Sequence, residues 1–342
     1  MNILGPDIFK GAKRLVEECA GVTSKESVLI VTDTMHSLLG ESLLAAALTV
    51  AKDVAMVILP TFGRVHGQNP PNAVAEAMKN ADVCIMPTEW SLSHCQARRD
   101  ASRSGTRCLT IPNPDAEIFA RTIPEAPFAE MKEIVIAVNE AFTAADEAHV
   151  TSPGGTDIWV DLKGRASVDL EHGYCRPEQE YAANFAGPPC IEANIAPVEN
   201  TARGIIVVDA CQSSIGLVRE PITLVVRDGR IVDIKGGSDA GRLIYKIESV
   251  GDNRIRLIAE LGIGLNPKAQ MRGRFIEDES VYGTGHFGMG NNESTMAGTI
   301  TVNGHFDNIF WRPTVDLDGI RIMEEGRLIM PRVPKIEGYY IK

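Results

Sequence analysis

His305 and Asp307, in Val302-Asn303-Gly304-His305-Phe306-Asp307, stand two residues apart, and a period-2 strand points both side chains to one face. An imidazole and a carboxylate so placed are half of a metal site. Upstream stand His286, in Gly283-Thr284-Gly285-His286-Phe287-Gly288, and two glutamates in apolar runs, Glu192 in Pro-Cys-Ile-Glu-Ala-Asn and Glu260 in Leu-Ile-Ala-Glu-Leu-Gly-Ile-Gly. A buried carboxylate without a cation or hydrogen-bond donors is expensive, and coordination removes that cost. Glu192, Glu260, His286, His305 and Asp307 therefore form a candidate two-metal set. Mixed carboxylate and imidazole donors suit zinc, manganese, cobalt or iron rather than calcium.

The elements that must carry these residues fall into two textures. From residue 27 to 111, β-branched runs (Ser27 to Thr32, Val54 to Leu59, Val83 to Met86, Arg107 to Ile111) alternate with amphipathic stretches near 37–53, 71–80 and 89–103. That alternation predicts a doubly wound parallel α/β sheet, its strand ends followed by Asp33, Thr61 and Thr88. A helical pattern over 127–148 closes the region, and the turn cluster Thr151-Ser152-Pro153-Gly154-Gly155 marks the expected boundary between domains 1–150 and 151–342. Beyond it, alternating strands, an Asp228-Gly229 hairpin and a helix over 239–250 predict an antiparallel α+β metal-binding domain.

The chain has 342 residues, 44% of them hydrophobic and 23% charged, which fits a globular protein of two ordinary domains. A net charge of −11 argues against a nucleic-acid partner, since phosphate binding needs a basic face. Seven cysteines without a Cys-x-x-Cys pair read as reduced thiols, and neither a signal-peptide pattern nor a membrane-spanning run is visible, so a cytoplasmic protein without a membrane partner is expected. Gly283 to Gly288 matches Gly-x-Gly-x-x-Gly, but Met289-Gly290-Asn291-Asn292 does not open a helix. No dinucleotide cofactor is expected.

The strings Ile191-Glu192-Ala193-Asn194-Ile195-Ala196-Pro197, Glu260 to Pro267, Gly285 to Gly290 and Gly304 to Asp307 resemble the thermophilic-type metallo-aminopeptidases, the M29 family, in motif order across the second domain. The resemblance implies two divalent metals, zinc, cobalt or manganese, with Glu192 and His286 on one, His305 and Asp307 on the other, and Glu260 bridging. It implies an α/β domain beside a β-rich metal domain, a homodimer or higher homo-oligomer, and hydrolysis of an amide or N-terminal peptide bond in a small molecule or short peptide by a metal-bridged hydroxide. The tyrosine that follows the first metal histidine in those peptidases has no counterpart, and Glu293 stands seven residues past His286. Glu293 is taken as a candidate catalytic residue, with Tyr282 as a further possibility nearby.

The same superfamily contains 2,5-dihydroxypyridine 5,6-dioxygenase, a mononuclear Fe(II) ring-cleaving enzyme, and Leu92-Ser93-His94-Cys95-Gln96 is similar to the segment carrying its proposed base. His94 is thus the second catalytic candidate. The dioxygenase pattern places a histidine where this chain has Glu260 and a serine where it has His286, and lacks an equivalent of Glu192. On ligand identity the expectation is the two-metal hydrolase, with the iron dioxygenase as the alternative.

Overall fold

The computed structural model describes residues 5–167, 171–177, 184–293 and 298–330. Contacts divide the chain into two compact units, residues 1–128 with 171–190, and residues 129–170 with 191–342. This differs from a single cut at 150. The turn cluster after Thr151 joins strands Glu147–Thr151 and Asp157–Asp161 as an antiparallel hairpin, so both sides of it belong to one sheet. The expected helix over 127–148 stops early, covering Phe128–Ala144, because Glu147–Thr151 is taken into that sheet.

The first unit is built on a five-stranded parallel sheet in the order Asp53–Leu59, Ser27–Asp33, Val83–Thr88, Arg107–Pro112 and Phe185–Ala186. Val83–Thr88 and Arg107–Pro112 are buried throughout, as the near-continuous apolar runs require of interior parallel strands. Strand order reverses between Ser27–Asp33 and Val83–Thr88. Right-handed crossovers then place helix Ser37–Leu48 on one face and helices Asn72–Lys79 and Gln96–Arg103 on the other. In keeping with this, Ser37–Leu48 packs with Gly5–Arg14, and Asn72–Lys79 with Gln96–Arg103. The expected helix over 89–103 begins only at Gln96, where the buried Cys95 Sγ accepts from the Arg98 amide at 3.4 Å.

The second unit holds two antiparallel sheets. One has eight strands in the order Arg230–Lys235, Ile222–Arg227, Arg203–Val208, Asp157–Asp161, Glu147–Thr151, Thr314–Leu317, Ile320–Glu324 and Arg327–Leu328. Its Ile222 hairpin turns on Asp228 and Gly229, both at positive φ (48° and 69°), as a type I′ corner demands. The other sheet carries the candidate ligands. Its order is Gly216–Leu217, Cys211–Gln212, His305–Trp311, Thr284–Gly290, Ile258–Gly264 and Glu192–Ile195. One face presents Leu261, Ile263, Phe287, Met289 and Phe310, all buried, to the core. The alternate residues face the other way.

The molecule is thus a mixed α/β protein, with one parallel and two antiparallel sheets among the described residues. Among the described residues, no helix is long and apolar enough to cross a membrane. Ile85 is fully buried between Ile30 and, in register on the other side, Leu109, all without solvent exposure. Ile85→Ala is expected to lower unfolding stability by about 2–5 kcal/mol in a denaturant titration followed by circular dichroism.

Candidate metal centre

Four neighbouring strands bring the five candidate ligands onto one face. In register, Glu192 pairs with Gly264, Gly262 with His286, Glu260 and Asp307 both with Gly288, and His305 with Gly290. A register shift between Ile258 and Glu260 marks a bulge that turns the Glu260 side chain onto this face. Between the ligands the face is floored with glycine. A Cβ on Gly262 would lie 2.0 Å from His286 Nε2, and one on Gly288 would lie 2.5 Å from His305 Nε2 and 2.9 Å from the Glu260 Cβ. Only glycine leaves room for the imidazoles to lie over the sheet.

Two triads share Glu260. Donor atoms of Glu192, Glu260 and His286 lie within 4.8 Å of one another, as do those of Glu260, His305 and Asp307. His286 Nε2 is 3.4 Å from Glu260 Oε1 and 3.7 Å from Glu192 Oε2. His305 Nε2 is 2.9 Å from Glu260 Oε2 and 3.0 Å from Asp307 Oδ1. Surrounding groups hold the Glu192 side chain and the Asp307 backbone. Asn194 Nδ2 donates to Glu192 Oε1 at 3.0 Å, and the Asp307 amide donates to Ser213 Oγ at 2.8 Å.

The electrostatics call for a cation. His305 Nδ1 lies 2.7 Å from the Asn291 carbonyl, which can only accept, so the proton sits on Nδ1. The Nε2 of a neutral ring would then aim its lone pair at two carboxylates. A second proton or a metal ion resolves that conflict. Glu192 Oε2 and His286 Nδ1 are buried without a hydrogen-bond partner, a further mark of an incomplete donor set. Burial pushes Glu192 up to about 8, with Glu260 adding to the rise and His286 opposing it. Burial would also raise Glu260, but hydrogen bonds from His286 and His305 hold it well below the usual carboxylate range. Burial would lower both imidazoles, yet Glu192 and Glu260 raise His286 to about 9, and Asp307 and Glu260 raise His305 well above its ordinary value. These residues fit a divalent metal.

The remaining candidates lie elsewhere. Glu293 is exposed, and its carboxylate accepts from Thr301 Oγ1 at 3.1 Å. Tyr282 is buried, its hydroxyl accepting from the Leu328 amide at 3.2 Å. His94 is half-buried in the first unit, in the turn before helix Gln96–Arg103, its carbonyl taking Arg99 Nη1 at 2.7 Å. The other histidines have local partners: His36 Nε2 with Glu89 Oε2 at 3.1 Å, His66 edge-on to Trp90, and His149 stacked on Trp159. All seven cysteines are buried, and none is in a disulfide. The glycine floor, Asn194, Ser213 and the Asn291 carbonyl escaped sequence reasoning, although Gly262, Gly264, Gly288 and Gly290 recur at alternate positions and carried a readable signal.

Fold and site together define a mixed α/β protein with a buried carboxylate–imidazole cluster. The chain belongs to the 2,5-dihydroxypyridine 5,6-dioxygenase (NicX) family, whose profile matches residues 8–330. The 2,5-dihydroxypyridine 5,6-dioxygenase of Pseudomonas putida KT2440 is 26% identical over 271 residues, covering 76% of this chain and 74% of that protein. A solved structure of 2,5-dihydroxypyridine dioxygenase from the same organism superposes with a TM-score of 0.82 at 22% identity, covering 96% of this chain and 99% of that one. AmpT from Thermus thermophilus shares the fold at a TM-score of 0.68 and 15% identity, covering 95% and 99%.

These findings overturn the hydrolase expectation. The aminopeptidase and metalloprotease assignment rested on donor identity at Glu192, Glu260 and His286, a local property of three side chains, whereas the dioxygenase family match spans nearly the whole chain.

Two outcomes follow from the geometry. Metal must displace protons held by His286 below about pH 9 and by Glu192 below about pH 8, so affinity is expected to climb between pH 6 and 9, about tenfold per pH unit for each proton displaced, and to level off above. Competition titrations with a chelator read this, and a flat profile would contradict the protonation states described. Gly288→Ala is expected to weaken metal binding at least about tenfold by crowding His305 and Glu260. Elemental analysis beside a thermal melt separates that effect from loss of fold.

Proposed function

We propose that the chain is an iron-dependent ring-cleaving dioxygenase acting on a small dihydroxylated nitrogen heteroaromatic of the 2,5-dihydroxypyridine class. The observation that carries this reading is the coincidence of a family match through residues 8–330 with the buried carboxylate–imidazole cluster. The proposed iron-binding residues are Glu260, His305 and Asp307. Their access supports the choice: the His305 and Asp307 side chains keep 12% and 9% exposure, against 1% for His286 and 7% for Glu192. A reacting metal needs open positions, and the deeper triad offers less room for them. Glu192 and His286, with the shared Glu260, supply donors for a second divalent ion.

Bound iron supplies the one-electron chemistry that lets dioxygen react with a closed-shell aromatic ring. The chain's own groups do the rest. Asn291 fixes the His305 tautomer so that Nε2 is the donor atom, and Asn194 holds the Glu192 carboxylate in place. The glycine floor admits the imidazoles while the strands beneath stay rigid. His94 is proposed as a further proton acceptor for the substrate hydroxyl, on its similarity in sequence context to the dioxygenase base, and Glu293 is assigned no role.

Chain loaded anaerobically with Fe(II) is expected to take up oxygen on addition of 2,5-dihydroxypyridine, with loss of the ring absorbance. Absence of uptake above the metal-free control, across a panel of dihydroxypyridines, overturns the reading. Asp307→Asn is expected to lower turnover at least about 10–100-fold together with iron content, whereas His94→Ala lowers turnover with iron content unchanged.

A further inference from the structure

Among the described residues, the parallel sheet ends on an edge strand. Among the described strands, Asp53–Leu59 hydrogen-bonds only to Ser27–Asp33, so one row of its N–H and C=O groups faces away from the sheet. Natural edge strands of this length are ordinarily blunted by lysine, proline or a bulge. Between the exposed Lys52 and Asp53 at one end and Pro60 at the other, Val54-Ala55-Met56-Val57-Ile58-Leu59 has none of these, and its pairing runs in unbroken register.

Apolar side chains crowd the same edge. Thr34 Oγ1 and Thr61 Oγ1 lie 2.9 Å apart, which draws the loops bearing Met35 and Phe62 together. Met35, Leu38, Ile58, Phe62 and Val65 are all exposed, Phe62 by 98%. Helix Ser37–Leu48 packs on this strand and is apolar nearly all round, with Leu38, Glu41, Ala45 and Leu48 turned outward and only one charge among them. A helix of that composition belongs in a buried position.

Register selects the occupant. Antiparallel self-pairing about a two-fold axis at Met56 sets Val54 opposite Ile58, Ala55 opposite Val57 and Met56 opposite its own copy. Every cross-strand pair from 54 to 58 is then apolar, no like charges meet, and Asp53 falls opposite Leu59 at the ends. The same axis, perpendicular to the sheet, keeps the two Ser37–Leu48 helices on one face and side by side, covering their outward stripes. We propose that the Asp53–Leu59 edge and the flanking helix Ser37–Leu48 form a homotypic interface that joins the parallel sheets of two copies into one continuous sheet.

The test uses the full metal-loaded chain at micromolar concentration, with mass measured by light scattering and exchange of the 53–59 amides followed by mass spectrometry. Ile58→Lys and Phe62→Asp alter exposed side chains, and Phe62 alone suffices if the strand variant misfolds. Wild type is expected to be an even-numbered oligomer with slow exchange over 53–59. Each folded variant is expected to halve the mass and speed that exchange at least tenfold. A monomeric wild type, an unchanged mass in Phe62→Asp, or rapid exchange over 53–59 within the wild-type oligomer overturns the proposal.

Discussion

An imidazole nitrogen set between two carboxylates is the constraint around which the candidate metal centre is organised. His305 spends its Nδ1 proton on the Asn291 carbonyl, leaving Nε2 to face Glu260 at 2.9 Å and Asp307 at 3.0 Å. Such a contact is repulsive unless a positive charge lies in it. His286 and Glu192 repeat the problem one strand pair away, where each keeps a buried atom without a partner. Three carboxylates and two imidazoles are gathered out of water, and the cost of that gathering falls when protons or a bound cation supply positive charge. The apolar underside, with Phe287 and Phe310 stacked at 6.1 Å, keeps the strands in register while the polar face carries the charge.

The scaffold and the donor set answer to different physical demands. Strand order, register and the apolar face set where donor atoms stand, and a whole-chain family match follows that scaffold. Donor identity at one position is a matter of one side chain, and a carboxylate and an imidazole can occupy the same place on the same strand. Relatedness in this chain is therefore carried by the 8–330 match, while Glu192, Glu260 and His286 describe how this member of the family charges its site.

The parallel sheet was legible because its strands are buried on both sides, so Val28 to Val31 and Val83 to Met86 read as unbroken apolar runs. The Asp228-Gly229 corner was legible because positive φ restricts the residues that can fill it. Two expectations failed where local pattern met tertiary pairing. Residues 145–151 continue a helical composition, yet Glu147–Thr151 is drawn into the eight-stranded sheet by Thr314–Leu317 and Asp157–Asp161. The Thr151–Gly155 cluster signals a turn, but whether a turn separates two domains or two paired strands depends on what the flanking segments meet in space.

The sequence by itself determined the donor types, their order along the chain and the period-2 placement of His305 and Asp307, because side-chain chemistry and strand alternation are local. It also determined that Glu192 and Glu260 lie in apolar surroundings. Tertiary structure alone decided that these residues share one face, that Glu260 stands between both imidazoles, and that Gly262 and Gly288 make the space they occupy. Those facts depend on register between strands far apart in the chain, as where Glu192 pairs with Gly264, 72 residues on (192 to 264), and interstrand register is fixed by long-range packing and hydrogen bonding that no local pattern encodes.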